Sequence, residues 1–475
     1  MLAGGGLHRF FTRKTRAMQQ KTISTALMLC IGLLSAGAAC AKVPATEADK
    51  LGKELTCTGA IKAGNADGSI PPFTGKILGV PPGVKFTKSV GQFQPDIYAN
   101  EKPLFEITAA NMAQYGDKLS AGQKALLSKF PTTMRIPVYP GHRDFRYDDD
   151  ICAVIKRNAL EAEVVNDGNG VKGFMGALPF PIPKTGLELL WNNLMPSRAS
   201  TEEVERDMAL VGAGGDIAWG RTSYIQLSRY DSKENLGKPN EGKYAYVTNF
   251  SILPEREKGS VILSIEPMNF GTDKRLAWNY DPGTRRVRQL PEFGYDQPAP
   301  GTSGKATIDS ERLFNGGSER YEWTLHGKRE MFIPANTFRI NQQMKYADLL
   351  KPGHPNPAYT RYELRRVWVL EGKLKPGFRH LYSKRVMFID EDTGHAVSGD
   401  FYDARGQLWQ HGEINYYYAY DIKKWHAGTS FYYDLNAGSY VSMNLVQERP
   451  KAPILGKDDL KPSQYTPEAI RNLGN

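Results

Sequence analysis

Arg361-Tyr-Glu-Leu-Arg-Arg-Val-Trp-Val-Leu370 and, a short way downstream, Lys384-Arg-Val-Met-Phe-Ile-Asp390 decide the fold. Both runs are rich in β-branched and aromatic residues, which suit a pleated strand. Side chains alternate across a strand, so Val367 and Val369 face one side while Trp368 and Leu370 face the other. Val386 and Phe388 oppose Met387 and Ile389 in the same way. Strands that are apolar on both faces must be covered on both faces. The chain therefore needs a sheet with layers above and below it.

Working outward, more strand runs precede these two: 223–229, 243–250, 260–266, 275–280 and 285–290. The tyrosine-rich run 415–420 follows them. Turns such as Asp281-Pro-Gly-Thr284, Asp390-Glu-Asp-Thr-Gly394 and Asp403-Ala-Arg-Gly406 separate neighbouring runs. They are too short for a crossover helix, so adjacent strands are antiparallel. No fixed-period repeat marks a propeller or solenoid. The reading is an α+β protein built on a large meandering antiparallel sheet.

The covering layers come from helices. Thr46 caps a helix over residues 47–55, Thr108 starts one through Leu119, and Ser120 with Gln123 forms a capping box for a helix to Lys129. Ile151, Val154, Ile155 and Ala159 share one face of a helix that starts after Asp148–Asp150. Thr185 caps Gly186–Met195, and a tail helix follows Thr466-Pro467. Three segments result: a leader at 1–41, a helical and extended segment at 42–165, and the sheet with its tail helix at 166–475.

The chain has 475 residues, 40% hydrophobic and 24% charged, with net charge +10. That composition excludes a disordered or collagen-like chain. Arg9, Arg13, Lys14, Arg16 and Lys21 fall in the leader with no acid beside them, so the remainder is only mildly basic and carries no nucleic-acid footprint. The apolar run Ile23–Leu34 and the small-residue exit Ala39-Cys-Ala41 describe an export signal cut before Lys42. Met18 is an alternative start. Lipidation at Cys40 is the rival reading, set back by Gly37 where a lipobox has a large aliphatic residue. The mature protein is expected in the periplasm, with no membrane-spanning segment.

Cys57 and Cys152 then remain. An oxidising compartment favours one bond between them, and two separate buried thiols is the alternative.

Chemical motifs are sparse. Gly168-Asn-Gly-Val-Lys-Gly173 has the letters of a dinucleotide loop but runs into Pro179, Pro181 and Pro183, which forbid the required helix. Asn65, Asp67 and Gly68 lack the acidic frame of a calcium loop. No two histidines stand three or four apart, and no nucleophile elbow or phosphate loop occurs. The reading is of a protein without a catalytic set, metal site or cofactor.

Three sets of residues carry a family resemblance. They are Ala63–Ile70 with Ile107–Tyr115 and Leu178–Gly186; Trp278–Arg288 with Gly294-Tyr-Asp296 and Leu349–His354; and Phe388–Gly394 with Tyr402–Gly406. Together they resemble the bacterial domain-of-unknown-function 1329 family, grouped with the outer-membrane lipoprotein-sorting proteins of the LolA/LolB type. The resemblance spans the mature chain. It implies a curved half-barrel with helices on its concave side, and a cavity that takes acyl chains. The typical members carry Pro near Cys57, so a bond there is not a family feature.

The leading expectation is thus a periplasmic carrier for a lipid-like or hydrophobic small molecule. An assembly factor for an outer-membrane protein or exporter, docking through the sheet edge or through Tyr416, Tyr417, Tyr418, Tyr420, Tyr432 and Tyr433, is the first alternative. An envelope hydrolase is the second. The bulky strand residues Trp278, Tyr280, Trp368, Leu370, Phe388 and Trp409 are the candidates for a cavity lining. Whether the apolar interior is a cavity or a filled core stays open at this stage.

Overall fold

The doubly apolar strands are interior strands of one large sheet, paired on both edges. In a computed structural model, which describes residues 43–474 apart from 301 and 303, sixteen strands join into a single open sheet. The export signal, the cut before Lys42, Cys40 and Met18 lie outside the described residues.

Two short strands, β1 (Phe105–Ile107) and β2 (Ile136–Val138), come first. The hairpin β3 (Glu163–Val165) and β4 (Gly170–Lys172) forms a separate small sheet around the Gly168-Asn-Gly170 turn. A first meander follows: β5 (Thr201–Val211), β6 (Ile217–Ser228), β7 (Lys243–Leu253), β8 (Val261–Pro267), β9 (Leu276–Asp281) and β10 (Arg286–Gln289). The chain then returns for a second meander: β11 (Tyr321–Pro334), β12 (Tyr362–Leu374), β13 (Lys384–Asp390), β14 (Ala396–Tyr402), β15 (Leu408–Ala419), β16 (Lys424–Asp434) and β17 (Ser439–Leu445). β17 pairs antiparallel with β5, Tyr440 opposite Val211, and this contact fuses the two meanders. β18 (Ile454–Leu455) adds to the start of β5, and β2 meets β12 in parallel at Tyr362 and Val138.

Among the described residues six helices accompany the sheet: α1 (Ala45–Ala48), α2 (Ala121–Lys129), α3 (Asp149–Glu161), α4 (Gly186–Leu194), α5 (Tyr346–Leu349) and α6 (Pro467–Gly474). Both capping boxes form, Ser120 with Gln123 and Thr185 with Glu188. The expected helix from Thr108 is instead a 3-10 turn over Met112–Lys118, because the Asn111 side chain accepts the Thr108 N–H and holds the chain out of helix. Neighbouring residues of β16 show the two-sided burial: Tyr432 belongs to the core that holds Trp191 and Phe338, while Phe431 and Tyr433 belong to the core that holds Leu126 and Leu127. The tyrosines considered for docking are all buried in these cores. The tail helix α6 lies on the outer face of the first meander, where Ile470 joins Val261, Leu263 and Tyr280. Among the described residues no helix is long and apolar enough to cross a membrane.

One buried charge cluster seats α2 on the sheet. His411 Nδ1 lies 2.7 Å from Asp400 Oδ1, and its Nε2 lies 3.4 Å from Glu413 Oε1. The Ser120 hydroxyl and the Gly122 N–H also donate to Asp400, and the Tyr362 hydroxyl donates to Glu413. Position 122 must be glycine for this seat, since a Cβ would fall 2.2 Å from the His411 ring. Burial works against a charged ring here, but the bonds to Asp400 and Glu413 outweigh it and push the His411 pKa from 6.5 up to about 9. A raised histidine pKa contributes stability that is complete below the unfolded value and lost as pH rises through the folded one. The urea midpoint is therefore expected to fall between about pH 6.5 and 9, and His411→Gln should flatten that slope. An unchanged slope in the variant would assign the pH dependence to other groups.

Candidate functional site

Cross-strand partners share a face, and the register of the first meander builds one side of a cavity. Glu202 stands opposite Gln226, and Arg206 opposite Thr222. Tyr224 stands opposite Asn249 and Gln226 opposite Val247. Asn249 in turn faces Ile262, and Val247 faces Ser264. This face of β5–β8 carries charged, amide and hydroxyl groups mixed with a few apolar ones. The opposite face carries Leu227, Tyr246, Val261, Leu263 and Ile265, and the tail helix covers it.

The second side comes from Ile414 and Tyr416 of β15 with Tyr432 of β16. The third is the long connection from β10 to β11, which contributes Phe293, Ile308, Glu311 and Phe314. Together they line one open cavity. A buried ion cluster anchors the connection: Arg385 on β13 and His380 both bond the Asp309 carboxylate. Burial alone would raise that carboxyl, yet Arg385 and His380 hold it well below the usual carboxylate range. The turn Ile308–Leu313 is thereby fixed, and Glu311 projects from it into the cavity.

Burial and nearby charge tune the wall. Burial pushes Glu202 up to about 7, with Arg206 and Arg198 pulling the other way. His395 and His426 are lowered by burial to about 3 and about 4, so both are neutral near pH 7. Glu266 is held by Arg275 at 2.6 Å. Three polar atoms of the wall, Arg198 Nε, Thr222 Oγ1 and His395 Nε2, are buried without a hydrogen-bond partner among the described residues. Among the described residues no three metal-binding side chains converge.

The residues singled out from sequence stand elsewhere. Trp278 and Tyr280 pair with Leu263 and Val261, which puts them on the outer face under the tail helix. Trp368, Leu370, Phe388 and Trp409 belong to the main core of the second meander, where Lys328 Nζ sits 4.4 Å from the Trp368 ring and Tyr382 packs 5.7 Å from Trp409. None of the six is part of the cavity wall. The wall is amphipathic where apolar sides were expected. The polar residues that make it went unread because Thr201-Glu-Glu-Val-Glu-Arg-Asp-Met208 looks like charged loop. The signal that exposes it is the pairing: Glu202, Arg206 and Met208 alternate onto one face only once β5 lies against β6.

Cys57 and Cys152 are bonded, with Cα atoms 5.1 Å apart, tying the chain after α1 to α3. Arg143 reinforces the same region: its guanidinium pairs with both oxygens of Asp392 at 2.7 Å, in the turn between β13 and β14.

With the geometry in place, comparison adds the following. The chain is 39% identical over 461 residues to an uncharacterised protein of Pseudomonas aeruginosa, covering 95% of this chain and 99% of that one. Among solved structures, a DUF1329 family protein from Desulfovibrio piger is similar at 15% identity and TM-score 0.39, over 57% of this chain and 92% of that one. A LolA superfamily protein from Nitrosomonas europaea is similar at 14% identity and TM-score 0.36, over 60% of this chain and 98% of that one. A family model described as protein of unknown function (DUF1329) matches residues 106–471, which takes in the whole sheet from β1 into the tail helix, and the chain belongs to that family.

Proposed function

We propose that this protein is a carrier-type binding protein of the bacterial envelope, taking an amphipathic or lipid-like small molecule into the cavity over β5–β8. The observation that carries the reading is the cavity itself, walled by a sheet face on one side and an anchored connection on another, with apolar and polar groups interleaved. Concave sites of this kind, mostly pre-formed and carrying a few convergent polar groups, are where proteins bind small molecules. The export signal read at residues 1–41 directs that cavity to the periplasm. The candidate docking tyrosines are buried, which leaves the assembly-factor alternative only the sheet edge.

Protein purified from the periplasm is expected to release a lipid-like molecule on organic extraction, seen by native mass spectrometry. A fluorescent fatty acid is expected to bind the emptied protein saturably at one site. Ile262 is half-buried and aimed into the cavity, so Ile262→Trp fills space that a ligand would use. Losing contact with two methylenes, at about 0.8 kcal/mol each, weakens binding by about ten-fold. Failure of every probe to bind, together with an empty extract, would end the carrier reading.

A further inference from the structure

The charged groups of the cavity are unevenly matched. Elsewhere in the fold the buried arginines are partnered by carboxylates: Arg143 by Asp392, Arg365 by Glu363, Arg361 by Glu363, Arg385 by Asp309 and Arg275 by Glu266. Arg198 and Arg206, both in the cavity wall, have no carboxylate within salt-bridge distance among the described residues. Arg206 instead lies over the Tyr224 ring, 3.9 Å from its centroid, and donates to the Asn444 side chain at 2.7 Å. Arg198 sits 5.3 Å from the Tyr230 ring and 5.9 Å from that of Tyr244, with its Nε buried and unbonded.

Aromatic faces orient a guanidinium and leave its N–H groups free to donate. Both guanidiniums stand in the β5–β7 zone of the cavity wall, Arg206 over Tyr224 of β6 and Arg198 beside Tyr244 of β7. The carboxyls of that zone offer incomplete compensation. Burial raises the Glu202 pKa toward its neutral form, and Glu266 is committed to Arg275. Both arginines are half-buried, and an oxyanion from outside the chain would supply the partner that each lacks.

We propose that Arg198 and Arg206 form a head-group subsite that takes the acidic oxyanion, a carboxylate or phosphate, of an amphiphile. The proposal rests on the carrier reading and deepens it by naming the chemical class of the ligand. The apolar part of such a ligand lies along Met208, Val247, Ile262 and Ile414, which line the same cavity. Arginine suits the head because its planar fork bonds carboxylate and phosphate oxygens in pairs.

The test compares dodecanoate, dodecanol and inorganic phosphate on the unmodified full chain, by displacement of a bound dye. Dodecanoate is expected to bind at least about ten-fold tighter than dodecanol, as charge-assisted hydrogen bonds require, and inorganic phosphate is expected not to displace it. The doubly substituted chain, Arg198→Gln with Arg206→Gln, should bind dodecanoate and dodecanol alike while keeping the wild-type affinity for dodecanol. That retained affinity also reports that the fold is intact. Equal binding of dodecanoate and dodecanol by the unmodified chain would overturn the head-group subsite and leave the carrier reading standing. Displacement by inorganic phosphate would overturn it too, by showing a site for the free oxyanion. Binding of neither amphiphile would remove both the subsite and the carrier reading. The comparison on the unmodified chain decides the question even where the arginine variants fail to fold.

Discussion

Arg385→Met is expected to lower the unfolding free energy by about 3–5 kcal/mol, the range for a buried ion pair broken from one side. The side chain of Arg385 is fully buried on β13, and its guanidinium bonds the equally buried Asp309. It also donates toward the carbonyl of Leu313 at 3.4 Å and the Tyr321 hydroxyl at 3.3 Å, and lies 5.0 Å from the rings of Phe314, Tyr321 and Tyr382. Methionine keeps much of the length and loses the charge, leaving the Asp309 carboxylate facing only His380 and Thr307. The pH dependence changes in a definite direction. A carboxyl whose folded pKa is depressed contributes stability above its unfolded value, near 3.8, and loses it as pH falls through the lower folded value. Without Arg385 that acid-side contribution shrinks, so the variant and the wild type should converge in stability as pH falls below about 4. Urea unfolding at pH 7 and at acid pH measures both effects. A loss below about 1 kcal/mol at pH 7 would contradict the assignment. The second replacement Asp309→Asn in the same chain should recover part of the loss, because it removes the stranded charge. Since the cluster also holds the turn that carries Glu311, ligand binding should weaken in Arg385→Met although Arg385 is outside the wall.

Replacing Cys57 and Cys152 together by serine is expected to cost about 2–4 kcal/mol. The bond spans 95 residues, and a long closed loop removes more freedom from the unfolded chain than a short one. The sheet is expected to survive, because α3 keeps other attachments: the Asn158 amide donates to the carbonyls of Met175 and Ala177 and accepts the Met175 N–H. Thiol titration of the unfolded, unreduced wild-type protein should find neither Cys57 nor Cys152 free. Two free thiols would remove the bond without disturbing the reading of the cavity.

Local chemistry was legible wherever it was self-contained. The capping boxes at Ser120 and Thr185 involve residues three apart, and both form as read. The turn at Asp390–Gly394 was read correctly as a hairpin, yet its sequence holds no sign that Asp392 grips Arg143 from 249 residues away. Strands dense in Val, Ile, Tyr and Trp, such as β7, β8, β12 and β13, announce themselves through residue type. β5 and the middle of β11 do not, because Glu203, Glu205, Arg206, Lys328 and Arg329 mask the alternation.

What the sequence by itself determined was therefore the class of architecture and the family: an antiparallel sheet covered on both faces, with helices placed by their caps. Those features follow from residue type and short spacing, which act within a few residues of one another. Which face of each strand meets the cavity was decided only by tertiary structure. Register is the physical reason, since a strand offers two equivalent faces until its neighbour selects one. Trp278 and Tyr280 are strong strand residues, but pairing with Leu263 and Val261 turned them outward. Glu202 and Arg206 look like solvated charges in the chain, and only the pairing of β5 with β6 and the return of residues 290–320 enclosed them.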